Sequence, residues 1–410
     1  MQQIGYLIPE FPGQTHIFYW RELQALADEG IQCSLVSTRR PPKEIASHSW
    51  AEQAIKNTFY LFPVTASELF GCVMRILIAG PFAWWRCARS VVAADANLKQ
   101  KARLIALAIL SGKLVRHSKK NGWNHIHVTS CADGANVAMF ASLISDLTYS
   151  LTHLGPSLLT YGPNQPEKWR YAKFAIVESE MLLSMARERL GDVLPQSLAV
   201  SSMGVDLSRS KRSSPFVPWS GDGPIRVFSC GRLNRVKGHD DLVTAMKLLR
   251  EQGYDVRLEI AGEDEQGGRG YRQELASFIR EKEMEEFVTL LGAVPEDIVQ
   301  RRLEDAHVFA LASLNEGTSI AIMEALAMAI PIVVTRVGNT PGMVDDHRSA
   351  LIVEPKDPQA MAAAIREIMD KTDLAASLSH NARITAEENF CHRTSAKLIA
   401  NFVKSLNGKQ

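Results

Sequence analysis

Two α/β domains, each built on a doubly wound Rossmann-like parallel sheet and facing one another across a cleft, are the architecture this sequence predicts. Three observations predict it. The chain has 410 residues, more than one ordinary hydrophobic core accommodates. Short, near-continuous apolar runs alternate with helical periodicity in both halves, the pattern of parallel strands covered on both faces. Between the halves, Ser208 to Gly223 is rich in Ser, Pro, Gly, Lys and Arg and has no apolar period, which marks an interdomain linker.

In the first half, strand patterns fall at Gln3 to Ile8, Ile31 to Ser37, His125 to Thr129, Leu147 to Leu151, Phe174 to Val177 and Leu198 to Val200. Helical spacing covers Phe18 to Glu29 and stops at Gly30. Ser67 to Val92 and Asn97 to Lys120 read as two long helices, followed by Gly134 to Ser145 and Glu180 to Leu190. The second half repeats the rhythm with strands at Ile225 to Cys230, Val256 to Ala261, Val288 to Leu291, His307 to Ala312, Ile332 to Thr335 and Leu351 to Val353. Three terminal helical patterns (Pro358 to Met369, Leu374 to Glu388, Arg393 to Leu406) exceed what one domain needs, so the last is expected to return to the first domain. The expected divisions are 1–207, 208–390 and 391–410.

Apolar residues make up 46% of the chain and charged residues 22%, ordinary for a globular protein. The net charge of +1 offers no bulk argument for nucleic acid. Six cysteines lie far apart with no CxxC pair, so neither a zinc site nor a disulfide framework is indicated and a cytoplasmic compartment is expected. The N-terminus reads as a first strand rather than a signal peptide. The best candidate for a membrane span, Leu69 to Val92, is broken by Arg75, Pro81, Arg86 and Arg89, and its uncharged stretch is about half the ~20 residues required.

Two constellations carry chemistry. Gly231-Arg232-Leu233-Asn234-Arg235-Val236-Lys237-Gly238 lies between a strand and a helix. The helix N-terminus suits an anion, Arg232 can fork onto phosphate oxygens, and Lys237 adds a point charge. It is neither a Walker loop nor a dinucleotide fingerprint, and a solvated surface turn accounts for the octapeptide equally well. Downstream, Asn315-Glu316-Gly317-Thr318-Ser319 follows a strand and leads into an apolar helix carrying Glu324. A carboxylate among Ala325, Leu326 and Met328 is costly unless paired, and a ribose diol would satisfy it. The amides of Gly317, Thr318 and Ser319, opening that helix, are expected to face the crevice. The alternative is that Thr318 or Ser319 merely caps the helix. Both constellations sit at carboxyl ends of strands, where ligands of open α/β sheets bind; cations for phosphates with carboxylates for hydroxyls suggest a nucleotide-sugar enzyme.

The whole set, Gly-Arg-x4-Lys-Gly, Leu291-Gly292, Asn-Glu-Gly-Thr-Ser, Glu324-Ala325-Leu326-Ala327, Pro331-Ile332-Val333-Val334-Thr335 and Val337-Gly338-Asn339, resembles the family-4 retaining glycosyltransferases. The resemblance is strongest from Ile225 to Pro358. It implies the two-domain GT-B fold and transfer of a hexose, with retention, from a UDP- or GDP-sugar to a glycan or polyprenyl-linked glycan acceptor, without a metal or other cofactor. It also implies residue roles: Arg232 and Lys237 on the donor diphosphate, Glu316 on the donor sugar, Glu324 on the ribose hydroxyls, and Gly317, Thr318 and Ser319 giving amides near sugar and phosphates. His153, at a strand end, matches the family's active-site histidine, so the implied catalytic set is His153, Arg232, Lys237 and Glu316. Phe11-Pro12-Gly13-Gln14-Thr15-His16 resembles the openings of exopolysaccharide glycosyltransferases, with Gly13 close to donor phosphates or acceptor. Departures stand at Met203 (commonly Asn), Ala329 and Ala350 (commonly Gly) and Gly342 (commonly an acid). A nucleotide-sugar epimerase of the same fold and a catalytically silent subunit of a glycan-assembly complex are the other readings.

Two features stay open. His125 and His127 point to one face of a strand, with no third ligand to make a metal site. Between Leu69 and His127, ten Lys and Arg residues face one acid, Asp95, with Phe82, Trp84 and Trp85 among them. That suits peripheral contact with an anionic membrane, at the inner face of the cell membrane; a helical face covering the sheet, its cations in water, is the alternative.

Overall fold

The computed structural model describes residues 2–13, 16–41, 50–155, 158, 161–264 and 266–407. Gln14 and Thr15 of the first loop motif lie outside the described residues.

Among the described residues the first domain holds seven strands: β1 (Gln2–Glu10), β2 (Ile31–Arg39), β3 (Phe59–Tyr60), β4 (His125–Val128), β5 (Thr148–His153), β6 (Phe174–Val177) and β7 (Ser197–Val200). They form one sheet in the order β3-β2-β1-β4-β5-β6-β7, every pair parallel. The helices are α1 (Ile17–Asp28), α2 (Ala51–Asn57), α3 (Ala66–Ala79), α4 (Pro81–Ala93), α5 (Leu98–Asn121), α6 (Asp133–Leu143), α7 (Gln165–Arg170) and α8 (Glu180–Leu190). The single helix expected over Ser67 to Val92 is in fact α3 and α4, bent by 108°. Gly80 at φ 84° ends α3 and Pro81 opens α4, a proline being tolerated at the first position of a helix and not in its interior.

The second domain holds β8 (Ile225–Cys230), β9 (Val256–Ala261), β10 (Val288–Gly292), β11 (Val308–Leu311), β12 (Ile332–Thr335) and β13 (Leu351–Val353), in the order β10-β9-β8-β11-β12-β13, again all parallel. Its helices are α9 (His239–Glu251), α10 (Tyr271–Glu281), α11 (Glu296–Asp305), α12 (Ile320–Ala327), α13 (Pro358–Asp370) and α14 (Thr372–Asn389). Each sheet carries a hydrophobic core on both faces, as parallel sheets require.

The last helix, α15 (His392–Asn407), returns to the first domain. It buries Ala396, Ile399, Ala400 and Val403 in the same cluster as Ala25 and Leu26 of α1. Ser395 donates to Glu22 at 2.6 Å, and Tyr6 donates to the same carboxyl. Burial pushes the Glu22 pKa up, with the two hydroxyls opposing it.

The chain crosses between domains twice, and the crossings pair. Val205 forms a parallel bridge with Cys391; its amide donates to Phe390 O at 2.8 Å, and the amide of His392 donates to Val205 O at 3.2 Å. Gly204, at φ 64°, makes this approach feasible, because a Cβ there would stand 2.6 Å from both His392 N and Phe390 O. The crossing thus precedes the Ser-Pro-Gly-rich stretch expected to serve as linker. That stretch is irregular but fastened to the second domain: Arg212 donates to the carbonyls of Leu303 and Glu304, and Ser213 binds the Glu304 carboxylate.

His125 and His127 lie fully inside, in a ladder of hydroxyls. His125 meets Thr148 at 2.8 Å and Ser150 at 2.9 Å; His127 meets Ser150 at 2.8 Å and Thr152 at 2.7 Å. Burial lowers both pKa values to about 3, so the rings are neutral parts of the core.

Candidate active site

A cavity of about 290 Å³ opens between the domains. Four segments at carboxyl ends of second-domain strands build it: the loop after β8 (Gly231, Arg232, Lys237), the turn after β9 (Gly262), the segment into α11 (Ala293, Val294, Glu296) and the loop from β11 into α12 (Glu316, Thr318, Ser319, Glu324). Ile17 and Phe18 of α1 close it from the first domain. The parallel sheet collects these residues, spread in sequence from Gly231 to Glu324, because every strand delivers its following loop to one edge.

Lys237 and Glu316 form the centre. Lys237 ends a 3₁₀ turn just before α9, and its Nζ lies 2.6 Å from Glu316 Oε1. Ser313 donates to the same oxygen at 2.5 Å. Glu316 is therefore engaged by the protein itself and largely buried, both contacts falling on Oε1, and it lines the cavity. Its backbone is held as firmly. Asn339 N donates to Glu316 O at 3.1 Å, and Gly338, at φ 50°, lies where a Cβ would stand 1.8 Å from that carbonyl. At the departure noted at position 342, a side chain would press on Asn339 Oδ1, 2.8 Å from the Cβ position.

Glu324 sits on α12, its side chain 13% exposed where it lines the cavity, and desolvation raises its pKa. Its partner is Arg21, a buried residue of α1 whose Nη2 lies 2.9 Å from Glu324 Oε1. The same Arg21 nitrogen binds Glu296 of α11. One guanidinium thus ties two acids of the second domain to the first, at the position where the ribose diol was expected. Ser319 is the N-cap residue of α12 but makes no side-chain cap hydrogen bond, and its amide donates to Met343 Sδ at 3.4 Å. The expected Ser319 amide is consequently turned away from the crevice, because the sulfur offers it an internal acceptor.

Gly13, His153 and Gly317 do not line the cavity. Gly13 donates to His16 Nδ1 at 3.1 Å at the entry to α1. His153 is the last residue of β5, fully buried, edge-on to Trp169 with ring centroids 5.7 Å apart. Burial takes its pKa to about 4, so the ring is neutral at pH 7. The chain reaches the second domain two residues later: a Cβ on Gly317 would stand 3.2 Å from Gly155 Cα.

Beside that contact lies an acid the sequence reading passed over. Glu178, directly after β6, accepts from Gly155 N at 3.2 Å and donates its amide to His153 O at 3.1 Å. Burial lifts its carboxyl to about 7, with the Gly155 amide and the Thr318 hydroxyl of the second domain partly opposing the rise. Arg21 and Glu178 both carried a readable signal. Arg21 occupies the apolar stripe of α1 between Ile17 and Ala25, and Glu178 ends a four-residue fully buried strand. A charge at a core position needs a partner: Arg21 finds two acids in the other domain, and Glu178 finds the Gly155 amide of its own.

The comparisons fit this geometry. Residues 211–385 match the family model described as glycosyl transferases group 1. The chain is 29% identical over 219 residues to the provisionally named colanic acid biosynthesis glycosyltransferase WcaL of Salmonella typhimurium, a match covering 52% of each chain. It is 26% identical over 189 residues to the amylovoran biosynthesis glycosyltransferase AmsK of Erwinia amylovora, covering 45% of each. These matches span about half the length of the curated relatives. Among solved structures, sucrose-phosphate synthase from Thermosynechococcus elongatus superimposes with a TM-score of 0.74 over 100% of both chains at 18% identity. Anabaena HepE in complex with UDP-glucose does so with a TM-score of 0.71 over 99% of this chain and 100% of that one, at 17% identity. The fold is GT-B: two Rossmann-like domains across a cleft, with a returning C-terminal helix. The match to the group 1 glycosyl transferase model lies within the second of those domains.

Proposed function

We propose that this protein is a retaining glycosyltransferase. It moves a hexose from a nucleoside diphosphate sugar to a glycan or polyprenyl-linked glycan acceptor in cell-surface polysaccharide assembly. The observation that carries the reading is the 2.6 Å pair of Lys237 and Glu316, on a cavity that Arg232 and Glu324 also line. Support also comes from the exopolysaccharide names of WcaL and AmsK and from the UDP-glucose held by HepE.

In this reading the bond between the anomeric carbon and the β-phosphate oxygen breaks, and a bond to the acceptor hydroxyl oxygen forms on the same face. The hydroxyl proton passes to the departing diphosphate. Arg232, Lys237 and the N-terminal end of α9 stabilise the charge that grows on the β-phosphate, the largest catalytic contribution expected from such a site. Side chains and helix amides fill that role, and no resident cofactor is invoked. Glu316, fixed by Lys237 and Ser313, orients the sugar through its remaining oxygen. Glu324 exchanges Arg21 for the ribose hydroxyls. Closed domains exclude the water that would otherwise hydrolyse the donor. His153, buried behind the contact of Gly155 with Gly317, acts from its neutral form.

A panel of UDP- and GDP-sugars, read by protection against thermal unfolding, identifies the donor. Release of nucleoside diphosphate is then expected to require an acceptor. Glu316→Ala should abolish transfer and leave nucleotide protection nearly intact. Conversion of the donor sugar without acceptor would instead identify an epimerase, and the absence of protection by every nucleotide sugar would point to a silent subunit.

A further inference from the structure

We propose that the outward face of α3 and α4, with the first turns of α5, docks on an anionic lipid bilayer, independently of the chemistry in the cleft. The apolar surface of the molecule is concentrated there. Of seventeen exposed large hydrophobic side chains among the described residues, thirteen lie between Phe62 and Ile105. Phe70, Ile78, Phe82, Val92 and Leu98 are each more than two-thirds exposed, and Trp85 is 55% exposed. Monomeric proteins rarely leave so much contiguous apolar surface to water without a partner for it.

The packing of these helices inverts the usual arrangement. Toward the domain core, α3 buries only Cys72, and α4 buries Ala83, Ser90 and Val91. Apart from Ile76, which packs partly against the core, small residues face inward and large ones outward, so a helical face covering the sheet does not account for the exposed large side chains. Neither helix crosses a bilayer: 14 and 13 residues rise about 20 Å each, short of a hydrocarbon core of ~30 Å, and the pair bends by 108°. Lying in the interface is the geometry left to them.

Charge selects the occupant. Arg86, Arg89, Lys99, Lys101 and Arg103 stand on or beside this face; of the acids near it, Glu68 is paired with Lys113 and Asp133 with Arg103, which leaves Asp95. A second copy of the chain would bring like cations together, whereas anionic headgroups complement them. The aromatic residues are built for a boundary between oil and water. Arg89 lies over the Trp85 ring at 5.6 Å and Arg86 over Phe82 at 6.0 Å. Trp84 satisfies its N–H on Ile76 O at 2.6 Å, so its ring is apolar toward the outside. The surface also reaches the rim of the cleft: Arg103 pairs with Asp133, which opens α6 at the carboxyl edge of the first sheet.

The test is flotation of the full chain with vesicles of phosphatidylglycerol and phosphatidylethanolamine, compared with phosphatidylcholine alone. The wild type is expected to float with the anionic vesicles and to be quenched by brominated acyl chains. Arg86→Glu with Arg89→Glu should lower recovery about tenfold or more, since each cation near such a surface contributes ~1 kcal/mol. Phe82→Ser with Trp85→Ser should lower it comparably and remove most of the quenching, with thermal unfolding unchanged because these side chains are exposed. Equal recovery of wild type and both variants overturns the proposal. So does a wild type that ignores anionic vesicles but forms a dimer in scattering that the serine variant abolishes.

Discussion

Arg21 of the first domain lies 2.9 Å from Glu324 of the second, closing the cleft over the acid that the proposed reaction assigns to the ribose. The same guanidinium holds Glu296. A cation that bridges two acids of the opposite domain ties the domains together there, and a nucleotide reaching Glu324 would have to displace it. Arg21→Gln leaves two carboxylates near each other without their cation, at a cost of about 3 kcal/mol to the closed form. The expected result is a larger radius of gyration in small-angle scattering without ligand, and a return to the wild-type curve with saturating nucleoside diphosphate. Superimposable ligand-free curves would remove that tie.

Lys237→Ala tests the centre of the site. It takes the cation from Glu316 and from the expected position of the diphosphate together. The turnover number should fall by a factor on the order of a hundred to a thousand, the range for losing one electrostatic contact to a developing anion. Lys237→Arg keeps the charge but not the point geometry, and should recover part of the loss. A variant as active as the wild type would place the phosphate elsewhere.

The fold was readable because parallel sheets write themselves as buried apolar runs: Phe174–Val177 and Ile332–Thr335 are buried at every position. Glu316, Glu324, Lys237 and Arg232 were marked out by motifs within the second domain, and the structure brings all four to one cavity. Arg21 was not singled out because its partners, Glu296 and Glu324, belong to the other domain, and sequence spacing within one domain says nothing of that. The break at Gly80 and Pro81 was hidden by helical periodicity running across both sides of it. The pairing of Val205 with Cys391 was equally out of reach, being a contact between residues nearly two hundred positions apart.

Glu178 predicts a pH dependence. Its ordinary pKa of 4.5 rises to about 7 in the folded protein through burial. Between those values the folded chain holds a proton that the unfolded chain has released. Stability from this group is therefore complete below about 4.5 and is lost as pH rises through about 7, by roughly 3 kcal/mol in all. Glu178→Gln keeps the shape without the charge. Denaturant titrations across this range should show a flatter profile for the variant and greater stability than wild type above pH 7. Parallel profiles would mean that the carboxyl ionises without penalty.

Ala329 offers a test in the opposite direction. It follows α12 with φ at 50°, a left-handed conformation, and Ser379 Oγ donates to its carbonyl at 2.7 Å. The family resemblance read from the sequence implies glycine at this position. A side chain there crowds the following carbonyl, costing about 1 kcal/mol or more, while glycine adopts the same angle freely but orders a looser unfolded chain. The first effect is the larger at a positive φ. Ala329→Gly should therefore raise the free energy of unfolding by up to about 1 kcal/mol, with the donor site intact because residue 329 lies at the far end of α12 from Ser319. Denaturant unfolding alongside nucleotide protection measures both. A loss of stability would mean that the buried turn tolerates alanine without strain, and that the departure at this position reflects packing rather than conformation.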